Sequence, residues 1–446
     1  MNQQAVSNSR KLFGTDGVRG RVGELVTPEL AVALGRAAAA ESGAERPQVA
    51  IVRDTRESGP MLESALAAGI AAGGGDAYMA GALPTPAASI LVRRHGFDLA
   101  AVVSASHNPW PDNGIKFFGP DGRKLDDDVE RRIEERIARG PGPGDGAIGR
   151  IRALEGALDD YLRELTSTFE SGLGGRTVLL DCANGATFRA APTAFERLGA
   201  NVETIAAEPD GRNINAGCGA MHPALLAERI GEVGADIGFA FDGDGDRVLA
   251  VDRTGRVRDG DEILAQVATY LQRRGRLQGG VVVTVMTNFG FHAAMDEAGI
   301  EVSATKVGDR YVIEELRRRG WELGGEQSGH VIWTEFAPTG DGIAAALLLE
   351  EALEGGDLDQ VTPFEKLPQK LVNVEITDRE ALDDATELWR AVDRETAGLE
   401  GRGRVLVRPS GTEPLVRLMV EAPTPQECDR VLGRLREVAE GELARG

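Results

Sequence analysis

The sequence predicts a multidomain α/β protein, and three observations carry that reading. The chain has 446 residues, too long for one hydrophobic core at roughly 100 to 200 residues per domain, so about three or four domains are expected. Apolar runs of strand length alternate with Ala- and Leu-rich helical stretches, the pattern of α/β domains with mostly parallel sheets. The runs also lead into polar loops, and in an open α/β sheet the loops at the carboxyl ends of strands face the ligand crevice.

The elements follow in order. A helical PELAVALGRAAAAE (residues 28–41) precedes the buried strand QVAIVRD (48–54), and LAAVVSA (99–105) runs into a loop beginning SHNP. RGPGPGDGAIG (139–149) reads as a linker or exposed turn that closes a first domain over residues 1–152. TVLLDCANG (177–185) and IGFAFDGDGDR (237–247) supply strands and loops for a second domain over 153–252. GVVVTVMTN (280–288) opens the strand pattern of a third, over 253–362. The last segment, 363–446, changes character: KLVNVEIT, a helical DDATELWRAVDRET, GRVLVRPSG and VRLMVEA describe a smaller α+β domain.

Composition narrows the function. Apolar content is 42%, and no apolar run reaches the roughly 18 residues of a membrane span, so no membrane partner is expected. The opening MNQQAVSNSRKLFG lacks the apolar core of a secretory signal, and the three cysteines are far apart and odd in number, which predicts a reducing cytoplasm. A formal net charge of −21 argues against nucleic acid, whose phosphates need a basic footprint. Lysine occurs only at 11, 116, 124, 306, 366 and 370. An acidic, lysine-poor surface suits a halophile, with an ordinary acidic mesophile as the plainer alternative. Scarcity also gives the lysines in motif-like loops, Lys11, Lys116 and Lys306, more weight than surface lysines usually carry.

Four loops could carry chemistry. In FDGDGDR, Asp242, Asp244 and Asp246 alternate with glycines, so three carboxylates can converge on one divalent cation while the backbone curls around it. An EF-hand is excluded, because its glycine and glutamate positions would fall on Arg247 and Arg253; a few hard carboxylates without a full oxygen cage favour Mg²⁺. Ser106 precedes His107, but adjacent residues at a strand end point to opposite sides, so no hydrolase-type hydrogen bond between them is expected. Ser106 either carries a phosphoryl group balanced by the cation, Arg19 and Lys116, or caps the next turn. RPSGTEP (408–414) has the chemistry of a phosphate cradle, and GGEQSGH (324–330) offers Glu326 and Ser328 to sugar hydroxyls, with His330 able to transfer a proton. Together the loops describe a site for a sugar phosphate.

In this order and across essentially the whole chain, SASHNP, DGDGDR, GGEQSGH and RPSGTEP resemble the α-D-phosphohexomutase family. The resemblance implies four domains around a central cleft, three related α/β domains and a smaller α+β C-terminal one. It implies a phosphoserine at Ser106, one Mg²⁺ on Asp242, Asp244, Asp246 and the serine's phosphate, and sugar contacts from Glu326 and Ser328. Lys116 and His330 would help move protons, with Arg19, His107 and Arg247 beside the reacting group. Arg408, Ser410, Gly411, Thr412 and Arg417 would hold the phosphate that does not react, and Lys306 and Arg310 would face the substrate. KLFGTDGVRG, SHNPWPDNGIKFF, NINAGCGAMHP, KVGDRYV and VRPSGTEPLVRLMVEA are most similar to the branch acting on glucosamine phosphates. That branch implies a small-molecule sugar phosphate as sole partner, glucosamine or glucose 1,6-bisphosphate as activator and intermediate, and a monomer or homodimer. In the sibling branch acting on mannose and glucose phosphates, the third-domain loop more often reads GHS or GHA where this chain has Gly308, Asp309 and Arg310. That sibling activity, and a sensor that binds without turnover, are the alternatives.

Overall fold

The structure is a computed structural model that describes residues 12–14, 16–140, 148–169, 172–376, 382–409 and 415–443. The chain divides into two compact units, one of Met1–Val285 with Ile300–Val361 and one of Met286–Gly299 with Thr362–Gly446.

Three sheets build the first unit. The first contains β1 (Val18–Arg21), β2 (Gln48–Arg53), β3 (Asp76–Ala82), β4 (Leu99–Val103), β5 (Asp112–Phe118) and β6 (Ile151–Ala153), in the spatial order β1-β5-β4-β2-β3-β6. The second contains β7 (Thr177–Asp181), β8 (Asn201–Ile205), β9 (Ile237–Phe241), β10 (Val248–Asp252) and β11 (Val257–Arg258), in the order β11-β10-β9-β7-β8. The third contains β12 (Val281–Thr284), β13 (Val302–Thr305), β14 (Leu323–Gly325) and β15 (Val331–Trp333), in the order β13-β12-β14-β15. β6 follows the Gly/Pro stretch and pairs with β3, so that stretch joins two parts of one sheet.

The three sheets are mostly parallel, as expected, with antiparallel strands added at their edges. Each sheet has a parallel centre, β4-β2-β3-β6, β9-β7-β8 or β13-β12-β14, extended by antiparallel strands. The added pairs β4–β5, β9–β10 and β14–β15 are antiparallel because the loops joining them, 104–111, 242–247 and 326–330, are too short for a helical crossover. Those are three of the four loops singled out for chemistry. Each turns a buried strand back on its neighbour at the sheet end.

Helices cover the sheets. The helix Pro28–Glu41 has the bounds expected from sequence, starts with Thr27 accepting the Leu30 N–H and packs on the helix Gly59–Ala72. Contact is close enough that a Cβ at Gly69 would lie 2.1 Å from the Val32 carbonyl oxygen, so this crossing requires glycine. Val49, Ile51, Leu62, Leu66, Val103 and Ile115 fill the core beneath.

The second unit is an antiparallel sheet of β16 (Gln369–Glu375), β17 (Arg404–Pro409) and β18 (Leu415–Glu421), ordered β16-β18-β17, with the helices Thr386–Gly398 and Pro425–Leu443. It also takes in the helix Phe289–Glu297 from earlier in the chain. Asn288 caps that helix and binds the backbone of Leu367, Glu421 accepts the Phe289 N–H at 3.0 Å, and Phe291 meets Phe364 edge-on. Among the described residues no helix is long and apolar enough to cross a membrane.

Candidate active site

The serine loop is built from beneath by a side chain that sequence reading did not single out. Arg56 is fully buried and donates to four carbonyl oxygens of the loop: Ser106 and Asn108 at 2.8 Å, Pro109 at 2.6 Å and Asp112 at 3.0 Å. Its Nε binds Asp54, which also accepts from the Ser104 hydroxyl at 2.6 Å, and Ser104 Oγ in turn accepts the Ser106 N–H. Asn215 adds a second bond to the Ser106 carbonyl at 2.9 Å. Held this way, Ser106 takes a left-handed backbone with φ 50°. That conformation brings Ser106 Oγ to 3.2 Å from His107 Nδ1, which corrects the expectation that the two side chains stay apart. The strand ends at Val103, so strand alternation no longer governs where they point.

The aspartate loop lies against it. Ser106 Oγ donates to Asp242 Oδ2 at 2.6 Å, and a Cβ at Gly243 would stand 2.6 Å from the Ser106 carbonyl oxygen, so only glycine lets the two loops meet. Asp242, Asp244 and Asp246 are all buried, each offering a carboxylate oxygen within 4.8 Å of the others. Among the described residues no other group of three acidic, cysteine or histidine side chains is so arranged. Burial, together with the Asp246 and Asp244 charges, pushes the Asp242 carboxyl well above the usual carboxylate range. Burial acts on Asp246 in the same direction, but His330, Lys116 and Arg247 prevail and hold it far below that range. One oxygen each of Asp244 and Asp246 is buried without a hydrogen bond. Crowded, buried and partly unsatisfied carboxylates fit a hard divalent cation.

Basic groups ring these loops. Lys116 lies 3.1 Å from Asp244, 3.8 Å from Asp246 and 3.7 Å from Asp16. Burial disfavours its charge, yet the three aspartates raise its pKa and keep it protonated. Arg247 donates its backbone N–H to Asp242 and places Nε 3.8 Å from Asp246; Arg19 pairs with Asp16. Thr85 donates to Asp244 at 2.6 Å. His330 Nδ1 is 3.6 Å from Asp246 and its Nε2 3.8 Å from Asp309, and these carboxylates outweigh burial and raise its pKa. His107 is shifted the other way, by burial and then by Arg247 and Arg19, so its neutral ring is favoured.

The remaining expected residues divide. Glu326 accepts the Gly308 N–H at 3.0 Å, which joins the GGEQSGH and KVGDRYV loops. Arg310 pairs with Asp127 and Glu130, while Ser328 and Lys306 are exposed. Arg408 and Arg417 stand opposite each other on β17 and β18 in the second unit. Burial and then the neighbouring Arg417 lower the Arg408 pKa, and neither arginine has an acidic partner among the described residues. Ser410, Gly411, Thr412 and Lys11 lie outside the described residues. Lys124 was missed although the scarcity of lysine singled it out as much as Lys116; its Nζ binds both Asp16 and Asp309.

Comparison with known proteins adds to this geometry. Models of the phosphoglucomutase/phosphomannomutase family match in chain order: alpha/beta/alpha domain I at residues 10–141, domain II at 159–255, domain III at 259–370 and the C-terminal domain at 371–438. A phosphoglucosamine mutase of Desulforudis audaxviator is 50% identical over 439 residues, 96% of this chain and 97% of its own. A phosphoglucosamine mutase of Moorella thermoacetica is 48% identical over 441 residues, 97% of this chain and 99% of its own. Among solved structures, a phosphoglucomutase/phosphomannomutase family protein from Burkholderia thailandensis superposes with a TM-score of 0.83 at 25% identity, covering 97% of each chain.

Proposed function

We infer the reaction from family and site together: the chain belongs to the phosphoglucomutase/phosphomannomutase family, and it interconverts glucosamine 6-phosphate and glucosamine 1-phosphate. The substrate rests on one observation, identity of 48–50% over nearly the whole length to two phosphoglucosamine mutases.

Ser106, as its phosphate ester, gives its phosphoryl group to O1 of glucosamine 6-phosphate. The P–Oγ bond breaks, a P–O1 bond forms, the O1 proton leaves to a base and Oγ takes one up. The 1,6-bisphosphate turns end for end; the P–O6 bond then breaks as a P–Oγ bond forms, Oγ gives its proton to a base, O6 takes one up, and glucosamine 1-phosphate departs. Glucosamine or glucose 1,6-bisphosphate acts as the activator that charges the serine.

Four features support this assignment. A hydroxyl at the floor of the site, hydrogen-bonded to a carboxylate of the aspartate cluster, suits a group that is esterified beside a cation. Mg²⁺ held by Asp242, Asp244, Asp246 and the serine's phosphate would neutralise charge on the phosphoryl oxygens. Arg247 and Arg19 add fixed positive charge of the kind that favours an in-line phosphoryl transition state. Lys116 and His330 retain protons and suit donation to a leaving oxygen; His107, neutral and 3.2 Å from Oγ, suits acceptance. Glu326, Ser328, Lys306 and Arg310 are assigned to the sugar, and Arg408 and Arg417, with Ser410, Gly411 and Thr412, to the phosphate that is not being transferred.

Phosphorus-31 NMR tests the reading. The protein with Mg²⁺ and a trace of hexose 1,6-bisphosphate is offered glucosamine, glucose and mannose 6-phosphates in separate tubes. Glucosamine 1-phosphate should appear fastest; faster turnover of either neutral sugar moves the chain to the sibling activity, and no turnover of any sinks the reading.

A further inference from the structure

Lys124 occupies a position that neither the proton-transfer scheme nor the cation site explains. It follows the tight turn after β5, where residues 118 and 124 form an isolated antiparallel bridge. Its ammonium binds Asp16, in the segment leading into β1, and Asp309, the first residue of the helix Asp309–Arg319. Lysine and both carboxylates are largely shielded from solvent, with 14%, 21% and 16% of each side chain exposed. Ion pairs this enclosed are poorly screened by salt, and removing one member strands its partners.

The two carboxylates lead onward to different groups of the site. Asp309 Oδ2, the atom Lys124 binds, lies 3.8 Å from His330 Nε2, a buried nitrogen that has no hydrogen bond. Asp16 lies 3.7 Å from the Lys116 ammonium and pairs with Arg19. Alongside, Arg310 pairs with Asp127 and Glu130, so the first turn of the helix Asp309–Arg319 is tied to residues 124–130 by a second set of charges.

We propose that Lys124 is a positioning residue: by binding Asp16 and Asp309 at once it clasps the start of the helix Asp309–Arg319 to the first sheet and sets where His330 and Lys116 present their nitrogens to the substrate. The clasp is a contact within the folded chain and stands without the reaction; its consequence for turnover rests on the reading given under Proposed function. Lys124 touches none of the three aspartates assigned to the cation, so its removal should leave cation binding alone.

Lys124→Gln, Asp309→Asn and the double variant test this. Hydrogen exchange is measured on full-length protein, and kcat and KM by the phosphorus-31 assay. In Lys124→Gln the amides of residues 306–310 should exchange about tenfold faster while the helix Pro28–Glu41 is unchanged. kcat should fall about tenfold or more with KM within about threefold, and the rise in Tm on adding Mg²⁺ should persist. The double variant should be no worse than the poorer single, as expected when two residues act as one unit, and ethylammonium should restore part of the Lys124→Gln activity. Unchanged exchange at 306–310 overturns the clasp, even if the wild-type protein turns over no sugar phosphate at all, which would overturn only the reaction. Faster exchange with kcat within twofold of wild type overturns the positioning role, as do losses that multiply in the double variant. Should Lys124→Gln fail to fold, Lys124→Arg and Asp309→Asn carry the same measurements, and normal exchange and kcat in Asp309→Asn overturn the proposal.

Discussion

The serine loop and the aspartate loop are topological equivalents, each turning a buried strand back antiparallel at a sheet end, yet they are stabilised in opposite ways. Around Ser106 the backbone carbonyls are satisfied: Arg56 covers four of them, Asp54 answers Arg56 and Ser104, and the Asn215 amide adds a second bond to the Ser106 carbonyl, leaving only its own side-chain oxygen buried without a donor. Around Asp242 the carboxylates are not. Three buried carboxylates repel one another, and two of their oxygens have no donor. The serine loop is thus held chiefly through its backbone carbonyls, while the aspartate loop keeps carboxylate oxygens without a donor, the arrangement a cation suits. The proposed reaction would use both, with Ser106 as a nucleophile placed in advance and a cation on the aspartates supplying charge where the phosphoryl group passes.

Several experiments would break or sharpen that contrast. Ser106→Ala should lower turnover by more than about a thousandfold, since removing a nucleophile removes the covalent route. Its fold, read by circular dichroism, should remain intact because the loop is held through backbone carbonyls; near-normal activity would end the assignment of Ser106. Arg56→Met should cost roughly 3–5 kcal/mol in chemical denaturation, the range for breaking a buried pair, because Asp54 and four carbonyls lose their donor. A loss under about 1 kcal/mol would mean that the serine loop does not depend on it.

The aspartate loop should respond to ions instead. Saturating Mg²⁺ should raise Tm by several degrees, on the order of 2 kcal/mol at tens of times the dissociation constant, and chelation should reverse it. Asp244→Asn should abolish that gain, because it removes one of the three carboxylates offered to the cation; a full rise in Tm on adding Mg²⁺ in this variant would remove Asp244 from the set. Acidification supplies the smallest effect. Burial and its acidic neighbours raise the Asp242 pKa, so its protonated form persists above the usual carboxylate range. A cation must displace that proton, and apparent Mg²⁺ affinity should weaken as pH falls through the range where Asp242 takes it up, as calorimetry at several pH values would show. Affinity independent of pH would mean that Asp242 is already ionised in the cation-free site.

Legibility followed sequence distance. The aspartate cluster could be read because Asp242, Asp244 and Asp246 belong to one loop, and spacing alone brings them together. The helix Pro28–Glu41 was legible for the same reason, with cap, proline and apolar face in one local window. Arg56 was not, because nothing near it says that it will meet the Ser106 carbonyl 50 positions away, nor was Lys124, which meets Asp309 across 185. The left-handed backbone at Ser106 belongs with these, since the tertiary hydrogen bonds hold it there.

Sequence by itself determined the α/β class, the order of the four loops and the convergence of the three aspartates, because short-range patterns of apolar, acidic and glycine residues dictate local geometry. Tertiary structure alone decided the antiparallel strands, the helix lent to the C-terminal unit, the Ser106–His107 contact and the clasp at Lys124. Those depend on which surfaces pack together, and packing joins residues whose separation along the chain leaves no local trace.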